Sequence, residues 1–138
     1  MGFLSELRIT HTGKYAPDAD GRQGNPIYAL DDPLAWSGDG GAWTVPAGYE
    51  TDLASIPLRF QRVEPHLSPA ARPGVLHDWF YTHHAVTRRE ADAIFLDALR
   101  AEGVQLLQRL AMWASVRLWG GPAYEARLGW AAPKGEAA

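Results

Sequence analysis

The sequence contains no cysteine, no long apolar run and no leader-like N-terminus. Without cysteine the chain has neither a disulfide framework nor a thiolate metal site, which fits a reducing compartment. No stretch approaches the ~20 apolar residues of a membrane span, so we expect no transmembrane segment. Residues 1–10 carry Glu6 and Arg8 instead of an apolar run, and we therefore expect no signal peptide.

The sequence also lacks an excess of basic residues. The 138 residues include 13 Lys and Arg against 16 Asp and Glu, a formal net charge of -3. A general nucleic-acid binder carries a basic excess, so we expect no nucleic-acid partner. The length favours a single domain over 1–138. The six tryptophans could be core residues, but Trp36, Trp43 and Trp130 lie in loop-like or terminal stretches, where large aromatics suggest a contact surface.

The two halves of the chain have different patterns, which predict an α+β fold. Residues 1–65 are rich in strand and loop signals and predict a small antiparallel sheet of short strands. Strands are expected within 3–12, 27–30, 34–36 and 43–45, with a loop over 14–25 and a tight turn at 38–41.

Residues 70–121 read as about three helices, and the first two form a central hairpin. The first starts near Pro69 or Pro73 and ends near His83 and His84. The second starts at the capping-box pair Thr87 and Glu90 and ends at Gly103. The third runs from about 104 to 119, and residues 122–138 are expected to form a loop and a mobile tail. An apolar stripe follows the third helix and consists of Leu107, Leu110, Ala111, Ala114 and Leu118.

The adjacent pair His77 and Asp78 lies on the first predicted helix and is the strongest candidate for chemistry. Adjacent helical residues point about 100° apart, so the two side chains face different neighbours. Tyr81 follows His77 by four residues and shares its face. Histidine is a natural general base for activating water when a carboxylate holds its other ring nitrogen. Asp92, at the edge of the apolar face of the second helix, is the candidate carboxylate.

Other interpretations of these residues stay open at this point. His77 and Asp92 could instead be satisfied core contacts or caps. Asp52 and Asp78 could both reach one oxygen-liking cation such as calcium, or Asp52 and Ser55 could cap a turn. Ser55 has no Gly-x-Ser-x-Gly elbow around it, which disfavours a nucleophile. The spacing of the histidines matches no zinc signature.

An ordered set of residues carries a resemblance to a known family. It comprises Pro46, Gly48, Tyr49, 51–57, 75–81, Arg88, Ala91, Asp92, Phe95 and 116–120. The set looks like a family of bacteriophage and prophage proteins catalogued as a domain of unknown function, number 1353, and covers about 42–121. The resemblance implies a tailed-phage or prophage origin, with virion proteins or the host envelope as partners and the virion or host cytoplasm as location.

A more distant likeness concerns the mechanism. The helix with His77 and Asp78, followed by a second helix with Asp92, is similar to the core of bacterial secreted phospholipase A₂. That resemblance implies that His77 activates water, Asp92 supports it and Asp78 binds calcium, with the loop role falling on Asp52. Tyr81, Arg88 and Ser55 would support the site. This chain differs from those enzymes in having no cysteine.

Two hypotheses of different class follow. The first is a phage-encoded hydrolase that acts on an ester, with a lipid of the host envelope as the leading substrate class. The second is a virion or assembly component without catalysis, in which His77, Asp78 and Tyr81 belong to a structural polar network.

Overall fold

The computed structural model describes residues 1–17, 23–52 and 68–126. Its N-terminal half contains short strands and its C-terminal half contains helices, so the predicted α+β class is confirmed. The strands are β1 (Gly2–Phe3), β2 (Ile9–Pro17), β3 (Gln23–Leu30), β4 (Leu34–Gly38), β5 (Gly41–Val45) and β6 (Glu50–Thr51). They form two antiparallel sheets instead of one, with strand orders β1-β4-β5 and β2-β3-β6.

The β2-β3 ladder extends further than the sequence predicts. β2 continues to Pro17 and β3 begins at Gln23, within the stretch expected to be a loop. Lys14 and Tyr15, at this end of β2, are exposed to solvent. Residues that do not pack into a core need no alternation of apolar and polar types, so the hydrophobic pattern gives no strand signal over 14–25.

The turn expected at 38–41 joins β4 to β5 as a tight hairpin. Gly38 pairs with Gly41, and Gly41 has a φ of 118°, a conformation that favours glycine. The hairpin places Trp36 opposite Trp43. Trp36 is only 1% exposed, so its assignment to a contact surface is wrong; Trp43 is half-buried and packs edge-on against Phe80. Trp130 lies outside the described residues.

The helices are α1 (Ala71–His83), α2 (Arg88–Ala101), α3 (Leu106–Trp119) and α4 (Gly121–Ala126). α1 is followed by its C-cap residue His84, whose φ of 52° is left-handed. The Thr87 hydroxyl accepts the Glu90 N–H and begins α2, and Gly103, with a φ of 81°, follows its end. Residues 122–126 are helical where a loop was expected, and 127–138 lie outside the described residues. Among the described helices, none has the length and apolar character needed to cross a membrane.

The main core lies where α1 and α2 pack against the sheet that contains the β4-β5 hairpin. Its largest fully buried side chains are Trp36, Phe80, Phe95, Leu34, Leu76, Leu99 and Met112. α3 contributes only Met112 to the set of buried residues. The apolar stripe of α3 exists, but its leucines face away from the core and are exposed.

Candidate functional site

The α1-α2 hairpin brings His77 and Asp92 into direct contact. The His77 Nε2 atom lies 2.7 Å from the Asp92 Oδ1 atom. Both side chains are buried, with 2% of His77 and none of Asp92 exposed. The short connection between the helices places the two residues side by side, as the hairpin prediction requires.

Two further donors complete the surroundings of the Asp92 carboxylate. The Tyr81 hydroxyl donates to Oδ1 at 2.6 Å, and it comes from the same face of α1 as His77. The Arg117 Nη1 atom, from the last turn of α3, donates to Oδ2 at 2.8 Å. Asp92 therefore ties α1, α2 and α3 together through one carboxylate.

Arg88 lies beside this carboxylate and supports it from the first turn of α2. Its Nε atom is 4.0 Å from Asp92 Oδ2, one helical turn away. Its Nη2 atom donates to the carbonyl oxygens of Val116 and Arg117 at the C-terminal end of α3. A cation at the negative end of a helix stabilises that end. Arg88 thus holds in place the turn of α3 that supplies Arg117.

The electrostatics keep Asp92 ionised and Tyr81 protonated. Burial by itself raises the pKa of Asp92, but hydrogen bonds from His77 and Tyr81, the charge of His77 and the bond from Arg117 outweigh it and lower the pKa. Burial, the hydrogen bond to Asp92 and the charge of Asp92 raise the pKa of Tyr81. Because Asp92 is an anion, His77 donates from Nε2, and in the neutral form of the ring the lone pair is on Nδ1.

Aromatic rings fix the plane of the His77 imidazole. The ring centroids of Tyr81 and Phe95 lie 4.2 Å and 4.6 Å from that of His77. Two ring contacts and the Nε2 bond leave the imidazole little freedom to rotate. The contacts therefore fix the direction of Nδ1, the ring nitrogen through which His77 would act as a general base.

Asp78 points into a separate polar cluster, as the 100° separation from its neighbour predicts. The Tyr49 hydroxyl donates to Asp78 Oδ2 at 2.7 Å and lies 3.1 Å from the Thr82 hydroxyl. Thr82 in turn donates to the Asp78 carbonyl oxygen at 3.0 Å. The cluster joins α1 to the segment between β5 and β6. Asp78 and Asp92 thus belong to two networks instead of one shared group.

The Asp78 carboxylate accepts the Tyr49 phenol, and calcium would need six to eight oxygens around it. Asp52 is half-buried directly after β6. Within 1–17, 23–52 and 68–126, no three His, Asp or Glu side chains are grouped to hold a metal ion. Ser55 lies outside the described residues.

Three residues of these networks do not appear among the sequence-based candidates. They are Arg117, Tyr49 and Thr82. Arg117 could have been found by asking which cation neutralises a carboxylate expected to be buried, because such a charge needs a partner. Tyr49 gives no local signal, since its contact with Asp78 joins residues 29 positions apart.

Comparison with known proteins assigns the chain to a family. The family described as "Protein of unknown function (DUF1353)" matches residues 28–116, a span that includes both helices of the hairpin. The "Uncharacterized protein y4jT" of Sinorhizobium fredii (strain NBRC 101917 / NGR234) is 30% identical over 106 residues. The match covers 75% of this chain and 31% of that relative, so the chain spans about a third of its length. No solved structure gives a significant match. The chain belongs to the DUF1353 family.

Proposed function

We propose that this chain is an ester hydrolase in which His77 activates water and Asp92 orients it. The observation that carries the proposal is the 2.7 Å contact between His77 Nε2 and a fully buried Asp92 carboxylate. An aspartate behind an imidazole is the arrangement that sets the tautomer and stabilises the protonated ring in hydrolases that use histidine as a base.

The proposed step uses only this chain's residues and a water molecule. The Nδ1 lone pair of His77 removes a proton from water as the oxygen attacks the ester carbonyl. The ring becomes an imidazolium, and the Asp92 anion stabilises it through the Nε2 bond. The proton returns from Nδ1 to the alcohol oxygen as that oxygen leaves. Tyr81 and Arg117 keep the carboxylate in place and are positioning residues.

The leading substrate class is a phospholipid of a bacterial envelope. The resemblance of the sequence motifs around His77, Asp78 and Asp92 to bacterial secreted phospholipase A₂ is the reason for this choice. The family resemblance also leads us to propose a tailed-phage or prophage particle as the setting. Mass spectrometry of purified phage particles shows whether this chain is a component of the virion, and it tests that proposal independently of the proposed hydrolysis.

Turnover of mixed phospholipid vesicles by wild type and by His77→Ala tests the proposed function. Removing a general base lowers the rate by about 10²- to 10⁴-fold. The matched control is His11→Ala. His11 is an exposed residue of β2, in the β2-β3-β6 sheet, so this variant should retain the wild-type rate. Equal rates for wild type and His77→Ala would overturn the proposal.

Calcium binding at Asp78 and Asp52 is a separate proposal that the step above does not use. Isothermal titration of the wild type with calcium, compared with Asp78→Asn, tests it. A binding signal that the substitution removes would support a calcium site. The absence of any signal would reject the site without affecting the role of His77.

A second candidate function is a structural component of a virion or of its assembly. The observation that favours it is the complete satisfaction of Asp92 by donors from α1 and α3, with only 2% of His77 exposed. In that case His77→Ala leaves an unsatisfied partner and costs about 1–3 kcal/mol of stability. The hydrolase predicts a similar loss of stability, because His77 is a partner of the buried Asp92 under either function, so the two functions differ in turnover. A less stable variant without any lost turnover would favour the structural function.

A further inference from the structure

The outward face of α3 is an apolar surface made of four leucines and two alanines. We call it the α3 face, and its members are Leu106, Leu107, Leu110, Ala111, Ala114 and Leu118. At 100° per residue these positions fall within one arc of about 140°, which also contains Arg117, whose guanidinium is paired with Asp92. Leu107 is 83% exposed and Leu118 is 69% exposed. An isolated exposed leucine needs no explanation, but a continuous apolar stripe marks an interaction site.

The spacing along the α3 face is that of a helix pairing seam. Leu107, Ala111, Ala114 and Leu118 are separated by four, three and four residues. This is the 3.5-residue repeat with which two helices pack side by side. The two alanines at its centre allow the backbones to approach closely, and the leucines at its ends close the seam.

The residues of the seam, Leu-Ala-Ala-Leu, have the same order and spacing in both directions, which favours a second copy of α3 as the partner. In an antiparallel pair of identical helices centred between Met112 and Trp113, Leu107 of one copy faces Leu118 of the other. Ala111 faces Ala114 in the same way. A two-fold interface requires this reciprocity, in which each residue meets its counterpart and the counterpart meets it.

The charges of α3 favour a second copy of this chain over an anionic partner. α3 has no acidic residue, and its two basic residues are engaged within the chain. Arg117 pairs with Asp92, and the Arg109 guanidinium donates to the Val104 carbonyl oxygen. A two-fold antiparallel pair brings the same flank of each helix together, so Arg117 lies beside Leu106 and Leu110 of the other copy and no like charges meet. Because both arginines are paired within the chain, the α3 face offers no free cation to a lipid phosphate or a nucleic acid, whereas a second copy needs none.

We propose that two copies of this chain associate through their α3 faces as an antiparallel, two-fold pair. α3 has 14 residues and is about 21 Å long. A single pair of helices of that length makes an interface below the size of stable complexes, in the class of weak and transient ones. The association is therefore concentration-dependent. It does not depend on the proposed hydrolysis, because His77 and Asp92 contribute nothing to the α3 face.

Sedimentation equilibrium from about 1 to 500 µM tests the pair, a range that spans weak and moderate affinities. The wild type should convert from monomer to dimer across this range, and Leu107→Glu should remain monomeric. Leu4→Glu is the matched control, because Leu4 is a leucine 73% exposed elsewhere on the molecule; it should associate like the wild type. Unchanged thermal unfolding of all variants excludes misfolding, since both leucines are exposed.

The double variant Leu107→Glu/Leu118→Lys tests the antiparallel register. In this register each introduced glutamate faces an introduced lysine of the other copy. Dimerisation should therefore be restored, and its affinity should fall as the salt concentration rises. A wild type that is monomeric at 500 µM, or a Leu107→Glu variant that still dimerises, would overturn the proposal. A monomer that sediments with anionic vesicles, and loses this through Leu107→Glu, would assign the α3 face to a lipid surface instead.

Discussion

Asp92 is the residue on which the helical half of the molecule converges. Its carboxylate is completely buried and accepts from His77, Tyr81 and Arg117 on two other helices. A buried charge is tolerated only when it is paired and hydrogen-bonded, and removing one partner of such a set is costly. The same contacts that orient His77 for chemistry therefore also hold α1, α2 and α3 together.

Asp92→Asn should destabilise the protein by about 3–5 kcal/mol. The amide has one acceptor oxygen, so either Arg117 or the pair of His77 and Tyr81 faces an NH₂ group instead of an acceptor. Chemical denaturation measures the change in the free energy of unfolding. Asp97→Asn, on the same helix but partly exposed, is the control and should change it by less than about 0.5 kcal/mol. Equal effects of the two substitutions would contradict the assignment.

Gly120→Ala should disturb the hydroxyl that holds Asp92. A Cβ atom at this position would lie 2.9 Å from the Tyr81 hydroxyl oxygen and would also collide with the Val116 carbonyl oxygen. Backbone cannot move aside cheaply, so we expect a loss of about 1–3 kcal/mol. Thermal and chemical unfolding measure it. Gly2→Ala has open space around its Cβ and should have little effect; a neutral Gly120→Ala would show that Tyr81 is not constrained there.

At the scale of elements, local signals predict helix ends well and the direction of helix faces poorly. Thr87, Glu90 and Gly103 act within a few residues of their own backbone, and the structure confirms the boundaries that they indicate. The apolar stripe of α3 has helical spacing, but its core-facing member is Met112. Periodicity shows that a face exists, whereas tertiary packing decides whether that face is buried.

Thr87→Ala should weaken the start of α2. The threonine hydroxyl accepts the Glu90 N–H at 3.2 Å, and loss of such an N-cap costs about 1 kcal/mol. The hydrogen-exchange protection of the first turn of α2 should fall with it. Thr44→Ala changes an exposed threonine of β5 and serves as the control. Unchanged exchange at the first turn of α2 would argue that tertiary contacts alone hold it.

At the scale of the whole molecule, the pairing of His77 with Asp92 was predictable because their helices are joined by a short connection. The hairpin brings residues 15 positions apart together, and an acid on a mostly apolar face suggests a buried partner. Arg117 is 25 positions from Asp92 and Tyr49 is 29 from Asp78. Those contacts depend on how α3 and the β5-β6 connection pack, which no local pattern encodes.

The stability of the molecule should fall at both extremes of pH. The native pKa of Asp92 lies below its ordinary 3.8, so its stabilisation is complete above that pH and is lost as pH falls through the native value. The native pKa of Tyr81 lies above its ordinary 10.0, so its stabilisation is lost as pH rises above 10. Unfolding at a series of pH values measures both. Asp92→Asn should not lose stability at low pH as the wild type does, and Tyr81→Phe should not lose it at high pH. Variants that keep the wild-type pH profile of stability would contradict these assignments.

Nitrogen-15 NMR of the histidine rings tests most directly whether Asp92 sets His77 as a base. At a pH where the ring is neutral, the account predicts that the proton of His77 resides on Nε2 and that Nδ1 has the chemical shift of an unprotonated nitrogen. In Asp92→Asn the preference for this tautomer should weaken or disappear. A wild-type ring protonated on Nδ1 would contradict the account, because Nδ1 would then have no lone pair with which to accept a proton from water.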